Sequence, residues 1–133
     1  MRHRVSGRHF GRTANQRKAL LRGLLASLIK YERIETTVAK AKAVKELADR
    51  LVTFGKKGDL HSRRIALSYL PDRELVKKLF NEIAPRFSDR NGGYVRVIKT
   101  GFRIKDSAPK AILEFVDYSK PEKESAKEDK KAN

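Results

Sequence analysis

Pro85-Arg86-Phe87-Ser88-Asp89-Arg90-Asn91-Gly92-Gly93-Tyr94-Val95-Arg96-Val97-Ile98-Lys99-Thr100 is where the chain changes period. Before Pro85, apolar residues recur at helical spacing: Leu75, Val76, Leu79, Phe80 and Ile83. Pro85 is expected to end that helix. Asp89 to Gly93 is a turn-rich loop, and Gly92-Gly93 reads as a turn rather than a phosphate cradle. Beyond it, β-branched and aromatic residues predict a strand over 94–100 and a second over 111–116. Lys105-Asp106-Ser107-Ala108-Pro109 lies in the connection, so the two strands are expected to pair antiparallel.

Upstream, Thr13 with Gln16 has the spacing of a helix capping box. Leu20, Leu21, Leu24, Leu25, Leu28 and Ile29 then predict a helix over 14–30, with Asn15, Lys18 and Arg22 aligned on its other side. Residues 33–37 alternate and are β-branched, so a short strand is expected to join the other two. Thr37 is placed to cap a second helix over 38–56, with Gly55 and Gly58 as its stop. Asp59 caps a short third helix running through Leu70, and Asp72 caps the fourth. The fold class expected is therefore α+β: about four helices packed on a small three-stranded sheet, in one domain over 13–117. Residues 1–12 form an extended basic arm. Residues 118–133 are Lys-, Glu-, Ser- and Ala-rich, almost without apolar groups, and are expected to be disordered.

Charge gives the functional direction. The 133 residues include 32 Lys and Arg against 16 Asp and Glu, a formal net charge of +16. The first 31 residues carry eight Lys and Arg, and the first acid is Glu32. A segment of that charge density repels itself until an anion neutralises it, and nucleic acid is the abundant polyanion that does so. An Arg-rich, acid-free start is also how an organelle transit peptide reads. A secretory signal fits less well, because Arg22 interrupts the apolar run from Leu20 to Ile29. No apolar run reaches the roughly 20 residues that span a bilayer, so no membrane partner is expected.

Three basic clusters are candidates for RNA contact. The first is the arm with the polar side of the first helix: Arg2, His3, Arg4, Arg8, Arg12, Lys18 and Arg22. The second is Lys40, Lys42 and Lys45 on the second helix, where Lys42 and Lys45 are three apart and share a face. The third is Arg86, Arg90, Arg96, Lys99, Arg103 and Lys105, opposed within that span only by Asp89 and interleaved with Phe87, Tyr94 and Phe102. Arg beside aromatics suits phosphate contact and base stacking. The plainer alternative makes Phe87 and Tyr94 core residues. Arg96 either faces RNA or pairs with Glu114 across the ladder. Lys45, Lys56, Lys57, Lys77 and Lys78 read as solvated surface, and the nearly neutral tail as a solvated extension.

Other chemistry is not signalled. There is no Cys, hence no disulfide and no thiolate metal site. His3, His9 and His61 are scattered, and no spaced metal or phosphate-loop motif occurs. No catalytic residue, metal, cofactor or small-molecule substrate is expected. Composition does not separate RNA from DNA, although no common DNA-reading motif is present. An arm that orders on its ligand suits a large folded RNA. The rival is a free-standing regulator of translation or a nucleoid protein.

Five segments in register resemble one family. Met1-Arg2-His3-Arg4 with Ser6-Gly7-Arg8 and Arg12; Ile34-Glu35-Thr36-Thr37 leading to Lys40-Ala41-Lys42; Leu79 to Phe87; Gly92-Gly93-Tyr94-Val95-Arg96; and Gly101-Phe102-Arg103 with Asp106-Ser107-Ala108-Pro109 are similar to the bacterial large-subunit ribosomal proteins numbered seventeen in their series. The resemblance covers residues 1–117. It implies an α+β fold, binding to large-subunit ribosomal RNA near the peptide exit, and a cytoplasmic place in the bacterial ribosome. It also implies protein neighbours, among them members twenty-two and thirty-two of the same series. Arg2, His3, Arg4, Arg8 and Arg12 would then lie against RNA.

Overall fold

The computed structural model describes His3 and residues 7–118; the expectations for Arg2, Arg4 and the tail from residue 119 lie outside the described residues. Helix α1 spans Ala14–Tyr31. Its start is set locally. Gln16 N–H donates to Thr13 Oγ1 at 3.5 Å, and Thr13 N–H donates to Gln16 Oε1 at 3.3 Å, closing the capping box. Glu32 ends the helix in the left-handed conformation at φ 63°, its N–H donating to the Leu28 carbonyl. Strand β1 follows at Arg33–Thr37 and runs straight into α2, Val38–Lys57. Thr37 occupies the N-cap position, but its hydroxyl makes no capping bond.

Helix α3, Leu60–Tyr69, starts where Asp59 accepts from Ser62 N–H at 2.8 Å. Helix α4, Arg73–Lys78, is capped by Asp72 through Glu74 N–H. Pro85 does not end the winding there. A π turn over Leu79–Ile83 hands over to a 3₁₀ turn over Ala84–Phe87, with Pro85 in that turn's first positions. Proline lacks an N–H, but the opening residues of a helical turn need none. The handover keeps Val76, Leu79, Phe80, Ile83, Ala84 and Phe87 all on the core side.

Strands β2 (Val95–Phe102) and β3 (Pro109–Phe115) complete a three-stranded antiparallel sheet in the order β1-β3-β2. The strand latest in sequence is thus the central one. A bulge between Lys99 and Gly101 skips Thr100, and Gly101 sits at φ 119°, a conformation that favours glycine. Ala111, Leu113 and Phe115 face the core, where α2 packs on β2 and β3. Leu25, Leu28, Ile29, Val44 and Leu51 fill it from the helices. The other face of the sheet carries Arg33, Glu114 and Arg96 in one row.

Gly58 terminates α2 at φ 69°, but Gly55 does not stop it. Gly55 is buried within the helix, and a Cβ there would lie 2.7 Å from Ala84 Cβ. It is the point of closest approach between α2 and the 3₁₀ turn. Gly55→Ala is therefore expected to destabilise the domain by roughly 1–2 kcal/mol, overpacking outweighing a helix-propensity gain of about 1 kcal/mol. Gly23→Ala, in α1 with nothing within 4 Å of the added carbon, should instead stabilise by about 0.5–1 kcal/mol. Urea melts of the two variants read the opposite signs; a stabilised Gly55→Ala would show that the turn yields.

Candidate nucleic-acid interface

The described part of the arm lies back along α1. Arg17 Nε donates to the Arg8 carbonyl at 2.6 Å, and Arg12 N–H donates to the His9 carbonyl at 3.2 Å. Gly7, Phe10 and Gly11 take positive φ in this run of turns. Phe10, which no periodicity singles out, packs half-buried against the core and anchors the arm. Arg12 spends one N–H on the Phe10 carbonyl, and Arg22 donates to the Ser68 carbonyl at 2.7 Å, tying α1 to α3.

Between the arm, α1 and the end of α3 runs a groove of about 660 Å³. Arg8, Arg17, Lys18 and Arg22 line its rim, Leu21, Leu25, Leu47 and Tyr69 its floor, and no acid lines it. Among the described residues, none of Arg8, Arg12, Arg17, Lys18 and Arg22 is in an ion pair. Helix α1 has no acid in its first turn, where carboxylates complement the helix dipole. Arg17 and Lys18 stand near that end instead, an arrangement that an external anion relieves. His3 is exposed beside this surface in sequence, and nothing described binds it.

The second cluster repeats the pattern more weakly. Helix α2 also lacks an acid in its first turn. Lys40 is half-buried and Lys42 exposed, and neither has a carboxylate partner among the described residues.

The third cluster divides. Arg86 pairs with Glu32 at 2.9 Å and Asp117 at 3.3 Å, and Lys78 also reaches Glu32. Arg96 pairs with Glu114 at 2.6 Å. Arg33, absent from the sequence-based candidates, approaches the same carboxylate from β1 at 3.3 Å. Glu114 is nearly fully buried, so two guanidiniums share one desolvated carboxylate and leave a net positive row on the sheet. The cross-ladder pair expected as one alternative for Arg96 is thus present, while its side chain stays about half exposed. Arg90 folds onto the Gly92 carbonyl, while exposed Lys99 and Lys105 have no ion-pair partner among the described residues. Phe87 and Tyr94 are core, their rings edge-on at 5.3 Å. Only Phe102 of the three aromatics is exposed.

The β2–β3 tip is tied together by charge-assisted hydrogen bonds. Arg103 donates twice to Asp106, at 2.8 and 2.6 Å, and Asp106 also accepts from Ala108 N–H at 3.2 Å. The guanidinium hydrogen bonds, followed by the Ala108 N–H, hold the Asp106 carboxyl down at about 2. Its folded value lies below the ordinary 3.8, so its contribution to tip order is complete above about pH 4 and is lost as pH falls through about 2. Carboxyl-carbon NMR of Asp106 should titrate near 2, and Arg103→Ala should return the midpoint toward the ordinary aspartate range. An unchanged midpoint in the variant would mean that the backbone N–H alone sets it. Asp49 shifts the other way: partial burial raises its pKa against the N–H donated by Tyr94.

Among the described residues no helix is long and apolar enough to cross a membrane, and no group of His, Asp and Glu is placed to hold a metal ion. Fold and charge together define a class: a small, strongly cationic α+β domain whose acids hold its own hairpin and helix ends, leaving one acid-free face. Residues 20–116 match the family described as Ribosomal protein L17, and the chain belongs to that family. It is similar to the large ribosomal subunit protein bL17 of Thermodesulfovibrio yellowstonii, 98% identical over the whole of both chains. The bL17 proteins of a Hydrogenobaculum species and of Fusobacterium nucleatum are 57% and 55% identical, covering 88% and 87% of this chain and all of their own length.

Proposed function

We propose that this protein is a structural constituent of the large ribosomal subunit that binds and stabilises folded large-subunit ribosomal RNA near the peptide exit, in the bacterial cytoplasm. The observation that carries the reading is the acid-free face of the arm and α1, where five cations lack a carboxylate partner among the described residues. Family membership favours ribosomal RNA as the polyanion. Arg2, His3, Arg4, Arg8, Arg12, Lys18 and Arg22 form the principal contact. Lys40, Lys42, Arg90, Lys99 and Lys105 add phosphate contacts at its flanks. Arg86, Arg96 and Arg103, already paired with carboxylates, act on RNA through the N–H groups those pairs leave over. Members twenty-two and thirty-two of the series are the protein neighbours that the resemblance suggests. The protein acts by neutralising phosphate where RNA helices crowd together, without catalysis.

Gradient fractionation of a lysate with crosslink mapping tests this. The protein should sediment with the large subunit through a moderate salt wash and crosslink to its RNA from the arm and α1. Recovery mainly in the slow fractions, or on chromosomal DNA, would support the free-standing regulator or nucleoid protein instead.

A further inference from the structure

The groove beside α1 combines a cationic rim with an apolar floor. A duplex presents phosphates on a wide front, for which a flat basic face suffices. An unpaired nucleotide presents a π face and an attached phosphate, and sites for it combine an aromatic or apolar platform with cations. The groove has both. Leu21 and Tyr69 form part of the floor, and Arg17, Lys18 and Arg22 stand at the rim. Its volume of about 660 Å³ lies in the range of small-ligand sites.

The rim is also preorganised. Arg17 and Arg22 each commit one N–H to a carbonyl, of Arg8 and Ser68 respectively, which holds the guanidiniums at the rim and leaves donors for a phosphate. Gly7 matters here: at φ 82° it passes so close that a Cβ would lie 3.1 Å from Arg17 Nη2. A side chain there would crowd the guanidinium by a few tenths of an ångström.

We propose that this groove is a single-nucleotide site, taking one extruded base of the bound RNA onto the Leu21–Tyr69 floor with its phosphate on Arg17, Lys18 and Arg22. The inference deepens the RNA-binding reading and rests on it. Charge complementarity selects a nucleic acid over an apolar peptide, and the floor selects a base over bare phosphate.

The test uses the full chain, methyl- and tyrosine-labelled for NMR, titrated with three probes: a seven-nucleotide single-stranded RNA, the same strand with abasic sugars, and a short RNA duplex. The base-bearing strand should shift the Leu21 methyls and the Tyr69 ring and bind roughly 5- to 150-fold tighter than the abasic strand, the range for one stacked base. Tyr69→Ala should erase that advantage and leave abasic and duplex binding unchanged; Tyr69→Phe, which keeps the ring, should retain it. Equal binding of base-bearing and abasic strands, or floor signals that stay still, would overturn the nucleotide site while salt-dependent duplex binding left the RNA reading standing. Floor shifts of the same size with a poly-glutamate peptide would overturn it in favour of a protein partner. Failure of all three RNA probes to bind would remove both readings.

Discussion

Changing Arg2, Arg4, Arg8 and Arg12 together to Glu is expected to abolish tight binding to large ribosomal RNA and leave the fold standing. Arg8 supports the arm through its backbone carbonyl, and among the described residues the Arg12 side chain bonds to the Phe10 carbonyl alone. Neither side chain joins the core. Circular dichroism and the melting midpoint should therefore hardly change. Binding should change a great deal, because every phosphate contact releases a counterion. If the native protein neutralises on the order of ten phosphates, log K against log salt slopes about −7 to −9, and four lost contacts flatten it by about 3 to 4. The variant should also be outcompeted for incorporation into large subunits. A native slope with normal incorporation would make the arm a passive extension and give the binding to the hairpin around Arg96 and Arg103.

Phe115→Ala should be the most damaging single change to the fold. Phe115 is 1% exposed and ends the central strand. Its ring lies 6.0 Å from Phe87, which in turn meets Tyr94. Its N–H donates to the Glu32 carbonyl, and the next N–H, of Val116, donates to Tyr94. The ring thus packs on the 3₁₀ turn at a point where the backbone of Phe115 and Val116 ties β3 to the end of α1 and the start of β2. Truncation removes a large buried ring where three elements cannot all collapse inward, at a cost of about 3–5 kcal/mol. For a domain of this size the midpoint should fall by on the order of 15 °C. Phe115→Leu should lose less than half of that. A loss under about 1 kcal/mol for the alanine variant would show that the turn closes over the gap.

The legible parts of this fold are those whose causes are local. Thr13 with Gln16, Asp59 and Asp72 cap helices through atoms two or three residues away, so their positions follow from the string of residues alone. The switch after Gly93 is equally visible, as strand spacing replaces helical spacing. Pro85 and Gly55 were misread because their roles are tertiary: one opens a turn that the core holds in place, the other lets α2 approach that turn. The site divides in the same way. A run without acids shows the arm at once. Which cations are already paired depends on strand register, which sets Arg33 and Arg96 on either side of Glu114. Arg17 escaped notice for a related reason: its role comes from the arm folding back onto it. The groove joins residues from the arm and three helices, and no single stretch of sequence contains it.

The sheet order β1-β3-β2 has a consequence for biosynthesis. A ribosome releases this chain from its N-terminus, so β1 emerges and waits about seventy residues for the strand it pairs with. Helices α1 to α4 can dock on one another during that interval, since their contacts do not require the sheet. β1 meanwhile keeps its backbone donors and acceptors open, and Arg33 lacks its carboxylate. Strand β3 then closes two ladders and both Glu114 pairs nearly at once. Completion of the nascent domain is therefore a late and abrupt event, after the acid-free face has already been exposed to whatever RNA lies nearby.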